Sequence, residues 1–128
     1  MNTIRILLAD QYKVSKEILN GIQLTTPQIE LVANAVDGHE ALRLVQLKRP
    51  DIVIFAEKLE QLDGITAAEH LCLLQPDIGV LMIIENENET VQARIRKIGV
   101  QGWVSRRDLR TELPAAVHKL VSLLRHSA

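Results

Sequence analysis

Residues Pro50–Gly64 read PDIVIFAEKLEQLDG. Ile52, Val53, Ile54 and Phe55 form a short, unbroken apolar run rich in β-branched residues. Pro50 and Asp51 punctuate it before, and polar residues ending in Asp63–Gly64 follow it. A strand that is apolar on both faces suits the middle of a parallel sheet covered by helices on both sides. In an open α/β sheet the functional position lies just beyond the carboxyl end of such a strand. Here that position holds Ala56.

Outward from this strand, extended and helical patterns alternate in both directions. Before it, Ile4–Ala9 (IRILLA) reads as a strand ending at Asp10, and Val14, Ile18 and Ile22 recur at four-residue spacing in a helix over Lys13–Leu24. Thr26–Pro27 breaks that helix, Glu30–Ala35 is a second strand, and Ala41, Leu42 and Val45 mark a helix that stops before Pro50. After it, a helix from Ile65 to about Leu74 leads through Gln75–Pro76–Asp77 to a strand over Val80–Ile84. The polar loop Glu85–Glu89 precedes a helix with Val91, Ile95 and Ile98, which Gly99 closes. Gly102–Ser105 is a short fifth strand. Thr111 is expected to cap the last helix, with Pro114 in its first turn and Leu113, Val117, Leu120 and Leu124 as its buried stripe. The pattern is (βα)5, which predicts a parallel sheet with right-handed crossovers and helices on both faces.

The chain has 128 residues, enough for one domain with a sizeable core; a single domain is expected over residues 1–128, its core spanning about 4–124. Its 47% hydrophobic and 24% charged content is that of a soluble globular protein. No apolar run approaches the ~18–20 residues of a membrane span, and nothing reads as a secretory leader, so a cytoplasmic protein with no membrane contact is expected. Cys72 is the one cysteine, which excludes an internal disulfide and a cysteine-rich zinc site. On the apolar side of its helix it reads as core. His39, His70, His118 and His126 lack metal-ligand spacing and read as surface or partly buried residues. No Gly-rich phosphate loop or serine elbow appears, which leaves a flavodoxin-like enzyme unsupported.

Charge is unevenly spread. Residues 1–93 hold 7 Lys and Arg against 14 Asp and Glu, whereas residues 94–128 hold 8 against 2. Solvated helix faces account for such a split, and so does a basic contact surface in the last third of the chain.

Taken together, the stretches IRILLADQ, AVDGHEALRLVQLKRPDIVIF, LDGITAAEHL, GVQGWVSRRD and ELPAAVHKLV, in this order and at this spacing, resemble the receiver domains of bacterial two-component response regulators. The likeness runs from Ile4 to about Leu124 and is greatest to receivers that precede a LuxR-type helix-turn-helix domain. It implies a flavodoxin-like, three-layer fold with strand order 2-1-3-4-5. It also implies phosphorelay signalling, in which a histidine kinase passes a phosphoryl group to an aspartate after the third strand. Two acids after the first strand help hold Mg²⁺, a Ser or Thr after the fourth binds the phosphoryl oxygens, and a Lys after the fifth neutralises them. An aromatic residue three positions before that Lys is associated with switching.

Carried onto this sequence, the pattern fails at most of its chemistry. The acid pair is Asp10 and Gln11; the nucleophile position, seven residues before Asp63, is Ala56; the hydroxyl position is Ile84; and the Lys position is Arg106. The aromatic position is Trp103. Asp10 beside neutral Gln11 offers little to a metal, and an Asp10–Arg106 ion pair is expected where phosphoryl and Lys would meet. Glu57 is one residue past the nucleophile position, where a side chain points to the opposite face; Glu57 and Glu85 put carboxylates at the rim.

The resemblance, with these departures, implies a pseudo-receiver: a non-catalytic module of transcription regulation with no metal or cofactor. It would act through a protein partner (a kinase, a regulator or its own output domain), with a homodimer as an option and no nucleic-acid contact by this domain itself. Nothing in the 128 residues is a helix-turn-helix reader, and the sequence ends where the family's linker usually begins. A stand-alone adaptor and an active phosphoacceptor using Glu57 are the alternatives. The expected contact surface lies on the fourth helix, fifth strand and fifth helix, with Arg96, Lys97, Arg110 and Lys119 available to an acidic partner.

Overall fold

Alternation between the two faces of the strands organises the whole chain. The structure is a computed structural model describing residues 3–126 except Asn86, with His126 described in its backbone alone. Residues 1, 2, 127 and 128 of the expected 1–128 domain, Asn86 of the polar loop and the His126 side chain lie outside that description. Five strands, β1 (Ile4–Ala9), β2 (Ile29–Ala35), β3 (Ile52–Ala56), β4 (Gly79–Ile84) and β5 (Gly102–Ser105), alternate with five helices. The helices are α1 (Lys13–Thr25), α2 (Gly38–Lys48), α3 (Gly64–Leu74), α4 (Glu89–Ile98) and α5 (Leu109–His126). The strands form one sheet in the expected order β2-β1-β3-β4-β5, and every neighbouring pair is parallel.

All five residues of β3 are buried, and the side chains of the first four divide between two cores. Ile52 and Ile54 join Ile6, Leu8, Leu81 and Ile83 under α1 and α5, where Leu19, Leu113 and Val117 close the layer. Val53 and Phe55 join Leu7, Val80 and Met82 under α2, α3 and α4, against Val45, Leu71 and Ile95. A fully buried aliphatic or Phe side chain contributes about 1.5–3 kcal/mol, and these two layers hold the sheet at a fixed height between its helices.

Local chemistry sets the helix ends. The side chain of Asp37 accepts from the Glu40 amide at 2.7 Å while that of Glu40 accepts from the Val36 amide at 3.0 Å, a reciprocal arrangement that starts α2. Asp63 caps α3 through the Thr66 amide at 2.9 Å, and Asn88 caps α4 through the Val91 amide at 2.9 Å. Gly99 ends α4 at φ 93°, the left-handed conformation that glycine adopts without strain.

Five boundaries differ from the sequence reading by one residue: β2 begins at Ile29, β4 and α3 begin at the glycines Gly79 and Gly64, α1 runs on to Thr25, and β3 includes Ala56. The larger correction concerns α5. Thr111 does not cap it; the Asp108 carbonyl accepts from the Thr111 and Glu112 amides at 3.1 and 2.9 Å, so the helix starts at Leu109, which is buried in the core. Pro114 therefore lies in the second turn and not the first. The amide it lacks would have served the carbonyl of Arg110, an exposed residue where water can take its place.

Gly64 fixes the turn after β3. A Cβ there would lie 1.6 Å from the Ala56 carbonyl oxygen, so only glycine lets α3 start this close to the strand. Gly21, in contrast, has nothing within 4 Å of a built Cβ. Gly64→Ala should therefore lower stability by at least about 1–3 kcal/mol, while Gly21→Ala should raise it by about 0.4–1 kcal/mol. Urea unfolding of the two variants checks both signs.

Candidate functional site

At the carboxyl end of the sheet the charged groups converge on one guanidinium. Asp10 follows β1 directly, and its side chain is fully buried, with 0% exposure. A carboxylate so placed must be neutralised and fully hydrogen-bonded to remain charged. Arg106 follows β5 and supplies both requirements: Nη1 donates to Oδ2 at 2.7 Å and Nη2 to Oδ1 at 2.9 Å. The Ser15 hydroxyl donates to Oδ2 at 2.6 Å, and the Tyr12 amide lies 3.3 Å from Oδ1. The expected Asp10–Arg106 pair is thus present, and it has the forked geometry that arginine provides and lysine does not.

The remaining edge of Arg106 is also engaged. Its Nε donates to Glu85 Oε2 at 3.1 Å, and its guanidinium lies over the Tyr12 ring, 4.9 Å from the centroid. Glu57 Oε1 accepts from the Glu85 amide at 2.8 Å. Glu57 and Glu85 thus do sit at the rim, and they link the loops after β3, β4 and β5. Burial by itself would lower the Arg106 pKa, but the hydrogen bonds and charges of Asp10 and Glu85 outweigh it and raise the pKa above arginine's ordinary value. The folded pKa being raised, the stability that comes from charging Arg106 is fully present below arginine's ordinary value and is lost as pH climbs through the raised one. The positive charge is permanent at physiological pH. Breaking such a buried pair by deleting one partner costs about 3–5 kcal/mol.

The other expected positions are apolar or turned away. Ala56 and Ile84 are fully buried, and Ile84 belongs to the core under α2, α3 and α4. Gln11 is exposed. Trp103 is half-buried against that same core, with the Arg96 guanidinium 5.3 Å from its centroid. Cys72 is partly buried beside it, and burial pushes its thiol pKa up, away from a reactive thiolate. Of the basic residues, Arg96, Lys97 and Lys119 are exposed, as is Arg110. Arg110 also reaches toward α1, with Nη2 3.9 Å from Glu17 Oε1.

Two members of the site escaped the sequence reading. Ser15 is completely buried inside α1, yet the Val14, Ile18 and Ile22 spacing passes over it. Tyr12 looks like an ordinary loop aromatic until Arg106 is placed over it. The usable signal was proximity: both lie within five residues of an acid that ends a buried strand.

These donors do not fit the Mg²⁺ ion that the receiver architecture implies. Both oxygens of Asp10 are engaged by donors, Gln11 supplies no charge, and the side chains at 56 and 84 carry no oxygen. Among the described residues no group of three or more His, Cys, Asp or Glu side chains could hold a metal ion. Also among them, no helix is long and apolar enough to cross a membrane.

A sequence profile for the response regulator receiver domain matches residues 6–118. The chain belongs to that family. It is 27% identical over 103 residues to the transcriptional regulatory protein DegU of Brevibacillus brevis, covering 80% of this chain and 44% of that protein. It is 33% identical over 86 residues to a protein-glutamate methylesterase/protein-glutamine glutaminase of Anaeromyxobacter dehalogenans, covering 67% of this chain and 25% of that one. The chain thus spans less than half the length of these curated relatives. Among solved structures, a two-component response regulator of the LuxR family from Aurantimonas sp. SI85-9A1 superposes with a TM-score of 0.82 at 26% identity, over 94% of this chain and 86% of that one.

Ser15 is the test of how far the pair depends on its neighbours. Ser15→Ala removes a buried hydroxyl donor from a carboxylate and should cost about 1.5–3 kcal/mol. The measurement is the shift in the denaturant midpoint at an unchanged slope.

Proposed function

We propose that this receiver domain works as a non-catalytic, pseudo-receiver module that signals by protein–protein contact without aspartyl phosphorylation. The observation that carries the reading is the Arg106 fork on Asp10, beside a strand that ends in Ala56. An alanine offers no oxygen to a phosphoryl donor, and the arginine's charge is already matched by two carboxylates. The Glu57 alternative is weaker, because one of its oxygens holds the Glu85 amide and its place in the loop ties that loop to β4. LuxR-type likeness supports a role as the N-terminal part of a DNA-binding transcription regulator in the cytoplasm, the DNA contact being made by another domain. Treatment with acetyl phosphate and Mg²⁺ should leave the intact mass unchanged. A phosphoryl adduct on Glu57 or on any other side chain would sink the reading.

The partner is a protein: a kinase, another regulator, an attached output domain or a second copy. The surface that suits it is basic and lies on α4 and α5, where Arg96, Lys97 and Lys119 are exposed and Arg96 flanks Trp103. Charge of this kind governs specificity and association rate more than affinity, and it weakens with salt. The double variant Arg96→Glu, Lys119→Glu should keep its fold and lose association with an acidic partner at low salt. Co-elution with that partner and a salt titration check this; unchanged association places the interface elsewhere.

A further inference from the structure

We propose that Arg106 is a resident cation, a side chain that does between Asp10 and Glu85 what a divalent metal could do there, and holds three loops in place without any incoming ion. The proposal rests on the reading of this chain as a receiver that needs no phosphoryl group, and it says what keeps such a pocket in order. Carboxylates brought together at the end of a sheet repel one another unless a cation lies between them. Here the cation is covalently part of β5's following loop. It bridges the fully buried Asp10 after β1 to Glu85 after β4, with contacts of 2.7, 2.9 and 3.1 Å. Glu85 in turn holds the loop after β3 through its amide and Glu57. Tyr12 covers the guanidinium from the α1 side.

A hard divalent ion takes oxygen ligands, commonly one or two carboxylates with water completing the shell. Asp10 and Glu85 are such a pair, on separate edges of the same guanidinium. Filling the space between them with arginine makes the pocket indifferent to Mg²⁺ or Mn²⁺. Emptying that space exposes a site that either ion can enter.

The experiment compares the intact chain with Arg106→Ala and Arg106→Met by thermal unfolding and circular dichroism, in EDTA and in millimolar Mn²⁺. The unaltered protein should melt at the same temperature in both. Each variant should melt on the order of 10 °C lower in EDTA, the effect of an unpaired buried carboxylate. Mn²⁺ should then raise it by several degrees through binding to the folded state. If a variant is unfolded in EDTA, Mn²⁺ should restore its dichroism. Adding Glu85→Gln to either variant should weaken the Mn²⁺ response, since one ligand is lost. Variants that ignore Mn²⁺, whether folded or not, overturn the proposal, as does an equal Mn²⁺ response from the unaltered protein. The phosphoryl-adduct mass measurement judges the underlying reading separately, because it uses the unaltered protein alone.

Discussion

A single buried carboxylate governs the carboxyl end of this sheet. Asp10 ends up out of water because β1 lies in the interior of the sheet, with neighbours on both sides and helices above and below. A charge there is tolerable only with a matching charge and a full set of donors. That requirement selects the forked side chain at 106, the hydroxyl at 15 and the amide at 12. It also dictates where the loops run. The chain after β5 must bring Arg106 back across the sheet, and Glu85 meets it from the next strand.

The contrast between an arginine and a lysine at position 106 is one of shape. An ammonium group is a compact point charge that shifts readily between partners. A guanidinium presents donors along fixed directions and holds several acceptors at once. In this chain three of its five N–H donors go to two carboxylates, and its face lies over one aromatic ring. The pocket is therefore ordered by the protein's own atoms, beside a strand β3 that ends in Ala56 and is closed by Gly64 against its carbonyl.

Much of the architecture was legible in the sequence, for a specific reason. The doubly apolar β3 run and the alternating helical spacings are direct prints of a sheet with two covered faces, and the cores divide the side chains as that pattern requires. The strand order itself came from family likeness, since periodicity is silent about which strands are neighbours. The start of α5 was misplaced because Thr111 and Pro114 imitate a helix beginning, whereas the real start depends on Leu109 reaching the core. At the site, Asp10 and Arg106 could be paired through the family's spacing. Ser15 could not, because a small polar residue inside a helix carries no periodic signal, and its burial depends on a partner it meets only in the fold. Arg110 illustrates the same limit: sequence places its charge on a helix, while tertiary packing brings it 3.9 Å from Glu17 of α1.

The stacking of Arg96 on Trp103 gives the molecule an optical property. The chain has one tryptophan, and its only other aromatics are a single Tyr and a single Phe. That indole belongs to β5, is half-buried, and lies under a guanidinium carried by α4. Indole emission changes colour and intensity with the water and charge around the ring. The light it emits therefore gauges the seat of one particular helix, undiluted by a second indole. Anything that lifts α4 off the sheet alters the spectrum, while an event confined to the α1 flank leaves it as it was.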